Sequence, residues 1–597
     1  MWDLEALKAG VNYLNEILGK RFNDVKGFEP DVNYIIKSLD EDYARKSLVE
    51  FFGSGRYKAV GLDGSMDYKV GLDIVTIFIA VASYSLPFEI SSDGDIILSF
   101  NNVEKIDSMS IFKVIPFWFD DLNGLTDSSN LLDDRSISKG LDSIPNSIMT
   151  LGEYYSAFKA LEDEDVKIVF LDRPIASSIG PYKRDARKVI YRYGGGIFTS
   201  EGINGKKISL IDLILAVYLG PDPNFYNYEF RPGTKKHYIL QLVANMAWES
   251  RDTYIKYSEL IPKLPIKISR DKVVKVLDKL NREFFGGRFI EDYLVDGFIV
   301  TDRIYRYWDS IEAVLEIFID KLFDKGGYYS HPLYVGGRPL TTKEINMISL
   351  FLIYKIKWLI DRNHKLVIGI GKDTSVTDMN RSLLPYLSSK GYIKNFNFRA
   401  VRSDRSMFII LSSLHRELFP VPWRSIGYDN IFSTLVYRDG VLTPARKVTT
   451  LSKFLIRNYF QLREVKSLDA YVRSPIFFYD RFYREDRDRD LVRGVDIKHV
   501  DKHYKSYIYL ETGLNPYDNM ILYILSKFDN DQIIESAGHN YLLFIADKEV
   551  KRMIKTVKTS VSNVVENTLY RMIRQHNIYV LTKSFREYRA QIERWRR

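Results

Sequence analysis

Residues Tyr57–Ser65 read Tyr-Lys-Ala-Val-Gly-Leu-Asp-Gly-Ser. Ala59-Val60-Gly61-Leu62 is an apolar run of the kind that makes a buried strand, and Asp63-Gly64-Ser65 interrupts it. A carboxylate at the end of a rigid strand is well placed to hold a hard divalent cation, which takes oxygen ligands on fixed supports. The same Asp-Gly pair also serves as an ordinary turn that ends a strand. Which reading holds depends on whether other acids, or a histidine, join Asp63.

The strand Val166–Leu171 supplies the next acid. Its apolar run ends at Asp172, followed by Arg173-Pro174. Between the two strands a helix is expected over Pro145–Glu162, with Leu151, Tyr155 and Phe158 at helical spacing and Glu153 among them. Glu153 is either a solvated helix residue or a third acid. Acids gathered at one place repel one another, and a divalent metal relieves that repulsion.

Composition limits the alternatives. The 597 residues are 46% hydrophobic and 27% charged, as expected of a globular α/β protein with a sizeable core. The absence of cysteine removes disulfides and thiolate metal sites, so any metal must sit on Asp, Glu, His or carbonyl oxygens. The net charge of +9 permits a phosphate-backbone partner. The N-terminus has no basic-then-apolar order, and the most apolar run, Ile74–Leu86, is too short to span a bilayer. A cytoplasmic protein without a membrane partner is expected.

Four stretches together resemble the NurA nucleases, partners of the HerA translocase. They are Gly61–Ser65, then Glu153 with Val169–Asp172, then Leu366–Ser375 with Lys372-Asp373-Thr374-Ser375, and finally Ile533–Asn540 with His539. They occur in that family's order. The resemblance implies an RNase H-like mixed sheet flanked by helices, a homodimer, Mn²⁺- or Mg²⁺-dependent cleavage of DNA ends, and a HerA-type hexameric ATPase as partner. It implies Asp63, Glu153, Asp172 and His539 as the catalytic and metal-binding residues. The chain departs from the family pattern at Met66, where Arg is usual, and at Asp172-Arg173-Pro174, where a second Asp-Gly-Ser is usual. It also lacks the tyrosine that usually precedes the final histidine, leaving Tyr507 and Tyr509 as the nearest substitutes. These departures keep open a catalytically degenerate relative that serves as a DNA-binding or assembly subunit. A winged-helix regulator on an unrelated core is a third reading.

Length beyond the family falls between Asp172 and Lys372. The expected organisation is a first part of the core at 1–185, an insertion at 186–335, and a second part at 336–597. Within the insertion come a Gly-rich connector at Tyr191–Ser200 and helices at Ile208–Tyr218 and Tyr238–Glu249. A short helix at Tyr257–Ile261 and an amphipathic helix at Ser269–Phe285 precede a hairpin, Arg288–Val295 and Phe298–Tyr305. That is the order of a winged helix, with Arg270, Lys272, Lys275, Lys279 and Arg282 on its recognition helix. A helical insertion with a solvated basic face is the alternative.

Elsewhere, Leu4, Leu7, Val11, Leu14 and Ile17 predict an amphipathic helix that packs on its own domain, or docks on a partner. Tyr57–Leu62, Asp73–Ser85 and Ile96–Phe100 predict strands, with Asp63 at the tip of the first hairpin and Asp67 and Asp73 as turn residues. Residues 101–140 read as polar and irregular. A helix is expected at Thr342–Arg362, with Lys372 in an ion pair with one of the acids. Residues 405–420 read as strand and 450–463 as helix. The alternating charges of 481–505 read as a solvated loop, in which His499 and His503 lack the pattern of a zinc site. The tail from Lys548 reads as helix and then strand at Ile578–Leu581.

Overall fold

The computed structural model describes residues 10–17, 19–20, 34–71, 74–118, 134–192, 213–214, 216–217, 220–221, 235–250, 252–264, 268–283, 289–301, 307–323, 334–335, 338–372, 376–393, 403–428, 435–438, 441–444, 454–466, 471–499, 502–536 and 538–576. In chain order its main elements are β1 (Ile36–Ser38), α1 (Glu41–Phe52), β2 (Gly55–Gly71), β3 (Ile74–Ile90), β4 (Ile96–Leu98), β5 (Glu104–Lys105) and β6 (Ile111–Trp118). Then come α2 (Asp134–Glu162), β7 (Val166–Leu171), α3 (Ile175–Arg192), α4 (Lys235–Ser250), β8 (Tyr254–Lys256), α5 (Tyr257–Lys263) and α6 (Arg270–Glu283). They are followed by β9 (Ile290–Tyr293), β10 (Gly297–Val300), α7 (Tyr307–Phe323), α8 (Thr342–Asn363), β11 (Leu366–Gly371) and β12 (Trp423–Ser425). β13 (Leu455–Gln461), β14 (Phe477–Phe482), α9 (Pro516–Lys527) and α10 (Tyr541–His576) complete the set.

Eleven strands form one mixed sheet in the order β1-β12-β13-β14-β11-β7-β2-β3-β4, with β5 and β6 also pairing β3. β7 lies parallel to both β2 and β11, and the other pairings are antiparallel. The sheet therefore draws on both ends of the sequence. Its central strands are apolar on both faces because helices cover both. Val60, Leu62, Val169, Leu171 and Val367 pack with α2, α3 and α8 on one face. Ala59, Ile168, Phe170, Leu366, Ile368 and Ile370 pack with α1, α9 and the start of α10 on the other. α8 begins as its sequence predicts: the Thr341 side chain accepts from the Glu344 amide, and Glu344 returns a bond to the Thr341 amide.

Several expectations need correction. β2 does not stop at Asp63-Gly64-Ser65. It runs on in register with β3, Asp63 opposite Ala82 and Gly71 opposite Ile74, so Asp63 is mid-strand and the hairpin closes eight residues later. Asp67 lies in the same strand and pairs with Lys558 on α10 at 2.5 Å. Asp73 lies outside the described residues. β5 and β6 occupy part of the stretch read as irregular, and α2 starts eleven residues before Pro145. Residues 404–414 are helix, and Leu455–Gln461 is a wholly buried strand. The polar side chains of that strand mimic a helical pattern, but Arg457 is paired with Asp480 and Asn458 donates to the Ser425 carbonyl. Residues 481–505 are not a solvated loop. They contain the end of β14, a helical turn at Glu485–Asp488 and an antiparallel hairpin, Val492–His499 with Lys502–Tyr509. Residues 10–17 are helical but are not packed on the domain, since Val11 is 54% and Leu14 60% exposed. Residues 193–200 and 578–581 lie outside the described residues.

α4, α5, α6, β9 and β10 follow one another as the sequence predicts, and β8, between α4 and α5, is a strand that the sequence reading lacks. Their three strands form a separate small sheet in the order β8-β10-β9. α7 links this unit to the core, with Trp308 stacked on Phe351 of α8 and Glu312 paired with Lys355 at 2.8 Å. Among the described residues no helix is long and apolar enough to cross a membrane.

Candidate metal centre

The position of Asp63 follows from a step in the sheet. β3 accompanies β2 along its whole length, but β7 pairs with it only as far as Leu62, opposite Leu171. The Asp172 amide makes the last bond, to the Leu62 carbonyl at 3.0 Å. Asp63 and Asp172 thus stand side by side where β7 ends. β11 ends beside them, and Lys372 donates to Asp172 Oδ2 at 2.5 Å. By strand alternation Asp63, Asp172 and Lys372 share the face covered by α10.

α10 closes the site. Gly61 lets it approach: a Cβ there would lie 2.4 Å from Cβ of Leu542. The helix brings Asp547 over β2 and β7, and oxygens of Asp63, Asp172 and Asp547 lie within 4.8 Å of one another. Just before α10, Gly538 takes a left-handed φ of 75°, and Ser474 leaves no room there for a side chain. The turn delivers His539 edge-on to Phe477. Its Nδ1 lies 3.1 Å from the Asn540 carbonyl, which only accepts, so Nδ1 carries the hydrogen. Nε2 is then a lone pair. It is buried, has no hydrogen-bond partner among the described residues, and lies 4.0 Å from Asp172 Oδ1. An imidazole oriented through one nitrogen with the other left open is the arrangement of a metal-ligating histidine.

Glu153 stands apart from this group. It projects from α2 on the other face of the sheet, where it is ion-paired with Arg173. Its Oε1 would be 2.5 Å from a Cβ at Gly64, so only glycine lets it lie so close to β2. The structure therefore brings together Asp63, Asp172 and His539. It adds Asp547, and it holds Glu153 across the strand in the grip of Arg173. Tyr509 lies elsewhere, bonded to Arg481 and Asp488.

The electrostatics match an incomplete cluster. Burial, then the charges of Asp172 and Glu153, push the Asp63 carboxyl up to about 9. Burial also raises Asp172, against the opposing pull of Lys372. Glu153 is raised by burial, with Arg173 opposing. His539 is held down to about 3 by burial and the Lys372 charge, so its imidazole is neutral. Four carboxylates stand against Arg173, Lys372 and Lys551, the last paired with Asp547 at 2.8 Å, which leaves a formal charge of one minus. Three carboxylates and one imidazole, without sulfur, suit Mn²⁺ or Mg²⁺. The donor set therefore fits a divalent metal.

Asp547 carries no motif, yet its sequence holds a signal. It lies four residues after Leu543 and three before Val550, on the buried stripe of α10, where an acid needs a reason. One prediction follows from Gly61. Gly61→Ala displaces the first turn of α10, and with it His539 and Asp547, by forcing Leu542 away. Mn²⁺ affinity measured by calorimetry is expected to fall about tenfold or more, with helix content unchanged.

No protein-family model matches the chain, and no curated protein matches it. Solved structures to which it is similar include the NurA nuclease from Sulfolobus solfataricus, at 10% identity over 94% of this chain and 98% of that one, with a TM-score of 0.35. They also include NurA bound to dAMP and manganese, at 10% identity over 92% and 94%, with a TM-score of 0.34. A third is NurA with manganese, at 10% identity over 93% and 98%, with a TM-score of 0.31.

Proposed function

We propose that this chain is a divalent-metal-dependent DNA nuclease of NurA type, built on an RNase H-like core into which residues 186–335 are inserted. The observation that carries the reading is the grouping of the Asp63, Asp172 and Asp547 carboxylates within 4.8 Å of one another, with the open Nε2 of His539 4.0 Å from Asp172. Asp63, Asp172, Asp547 and His539 Nε2 would hold the ion. A bound divalent ion lowers the pKa of its water and neutralises charge building up on a phosphate. The chain's own residues prepare for this. Lys372 fixes Asp172 and leaves a cation beside the site for a phosphate oxygen. The Nδ1–H bond to Asn540 sets the imidazole plane. Glu153, paired with Arg173 on the other face of β2, adds negative charge beside Asp63 without reaching the ion. The substrate would be a DNA end, delivered by a HerA-type hexameric ATPase to a homodimer.

The test is digestion of end-labelled single- and double-stranded DNA with Mn²⁺, comparing the wild-type chain with Asp63→Ala after both are shown to be folded. Cleavage by the wild type alone is expected. No cleavage by either, even with such an ATPase present, overturns the reading.

A second reading has its own observation in favour. Arg173 and Lys372 already neutralise Glu153 and Asp172, so the site can rest without metal. A degenerate assembly subunit would then show no Mn²⁺ binding until Arg173→Met or Lys372→Met frees an acid.

A further inference from the structure

We infer that residues 235–301 form a winged helix and that the basic stripe of α6 binds the phosphate backbone of duplex DNA. The inference stands apart from the metal centre and goes beyond it. The first support is topology. Helix α4, strand β8, helices α5 and α6, then the hairpin β9–β10 is the winged-helix order, and β10 lies between β8 and β9 as that fold requires. The core of the unit is complete. Val273, Leu277 and Leu280 of α6 are buried, as are Val243 and Ala247 of α4, Leu260 of α5 and Phe298 of β10. α6 packs across α4, so one face of it is committed inward and the opposite face is presented outward.

The second support is the charge on that outward face. Lys272, Lys275, Lys279 and Arg282 are all exposed. At 3.6 residues per turn they fall within an arc of about 80°, and they run along roughly 15 Å of helix. Arg270 stands at the head of the same helix with its guanidinium 4.9 Å over the Tyr257 ring. Asp271 and Asp278 lie to one side of the stripe, and Asp278 pairs with Arg282 at 2.6 Å. A stripe of basic side chains on the third helix of this topology is complementary to a row of phosphates. The wing between β9 and β10 carries Leu294 and Val295, the latter 84% exposed, and no basic residue. Contact through the helix, without a basic wing, predicts backbone binding with little sequence preference.

The experiment uses the full chain in a chelator, so that cleavage plays no part. Fluorescence anisotropy with a labelled duplex of about two helical turns is read across a salt series. The variant Lys272→Ala/Lys275→Ala/Lys279→Ala is expected to bind roughly tenfold or more weakly. Its slope of log affinity against log salt is expected to flatten by about 2 to 3, close to 0.9 for each lost phosphate contact. A charge-matched variant, Lys46→Ala/Arg56→Ala/Lys390→Ala, is expected to bind within about twofold of wild type with its slope intact. Circular dichroism and melting temperature check that both fold. Equal affinity and slope in the α6 variant overturn the inference, and so does an equal loss in the charge-matched variant. A change of mass in light scattering, with duplex binding untouched, also overturns it and makes the stripe a protein interface. Failure of the metal-centre reading would appear separately, as absent cleavage with this binding preserved.

Discussion

Asp547→Asn is expected to reduce Mn²⁺-dependent DNA cleavage on the order of 10²- to 10³-fold, the scale seen when one charged group is removed from a preorganised site. Asp547 is the one acid of the converging three that comes from a helix, so its loss removes charge without disturbing the sheet. Glu535→Gln, on an exposed residue just outside the site, is expected to leave the rate within about twofold. Equal activity of Asp547→Asn and wild type would remove Asp547 from the site. The same cluster sets a pH dependence. The metal-free protein keeps a proton on Asp63 up to about 9, whereas the unfolded chain loses it near the ordinary aspartate value. The folded state therefore binds more protons across that window, and stability falls as pH rises through it. The melting temperature of the metal-free protein should decline from about pH 6 to about pH 9. Asp63→Asn should flatten the decline, and Mn²⁺ should oppose it. An unchanged slope in the variant would place the titrating group elsewhere.

The residues that made the site legible are those whose chemistry contradicts their surroundings. Asp63 and Asp172 each follow an apolar run, and the sheet does place them together. Their meeting depends on a fact no single strand carries, namely that β7 is shorter than β2. Met66-Asp67-Tyr68-Lys69 looked like the far side of a turn because its alternation is weak, and only pairing with β3 keeps it extended. Asp547 belongs to no local motif, and its one signal in the sequence is that it breaks the apolar stripe of α10. Glu153 was visible as a helical acid, but its capture by Arg173 was not. That bond crosses the step where β7 ends and depends on Gly64 having no side chain. The helices and the hairpin of the small three-stranded unit were readable, because they are local and their turns carry their own signals, whereas the three-residue β8 was not, because it is extended only by pairing with β10. Leu455–Gln461 was not, because burial of Arg457 depends on Asp480 from another strand.

The stretch 481–505 shows the same limit at the highest energetic stake. Arg481 is wholly buried and uses its fork on two carboxylates at once. It reaches Asp488 at 2.7 and 2.8 Å, and Asp518 at 2.5 and 2.8 Å. Asp518 also accepts from Tyr479 and Asn515, and Asp488 from the Arg484 amide and Tyr509. One guanidinium thereby ties β14, the turn at Glu485–Asp488, strand Lys502–Tyr509 and α9 into one block. Burial alone would raise the Asp518 carboxyl, but Arg481 overcomes it and holds the group below the usual range. Arg481→Met leaves two acids facing each other out of water, so it should cost roughly 3–5 kcal/mol, the range for removing one partner of a buried pair. Denaturant unfolding followed by circular dichroism reads the loss as a lower midpoint. Adding Asp488→Asn and Asp518→Asn to Arg481→Met should recover more than half of it, because the penalty lies in the stranded charges and not in the missing contacts. If the triple variant is no more stable than Arg481→Met, the arginine acts through packing, and the charge argument for this block fails.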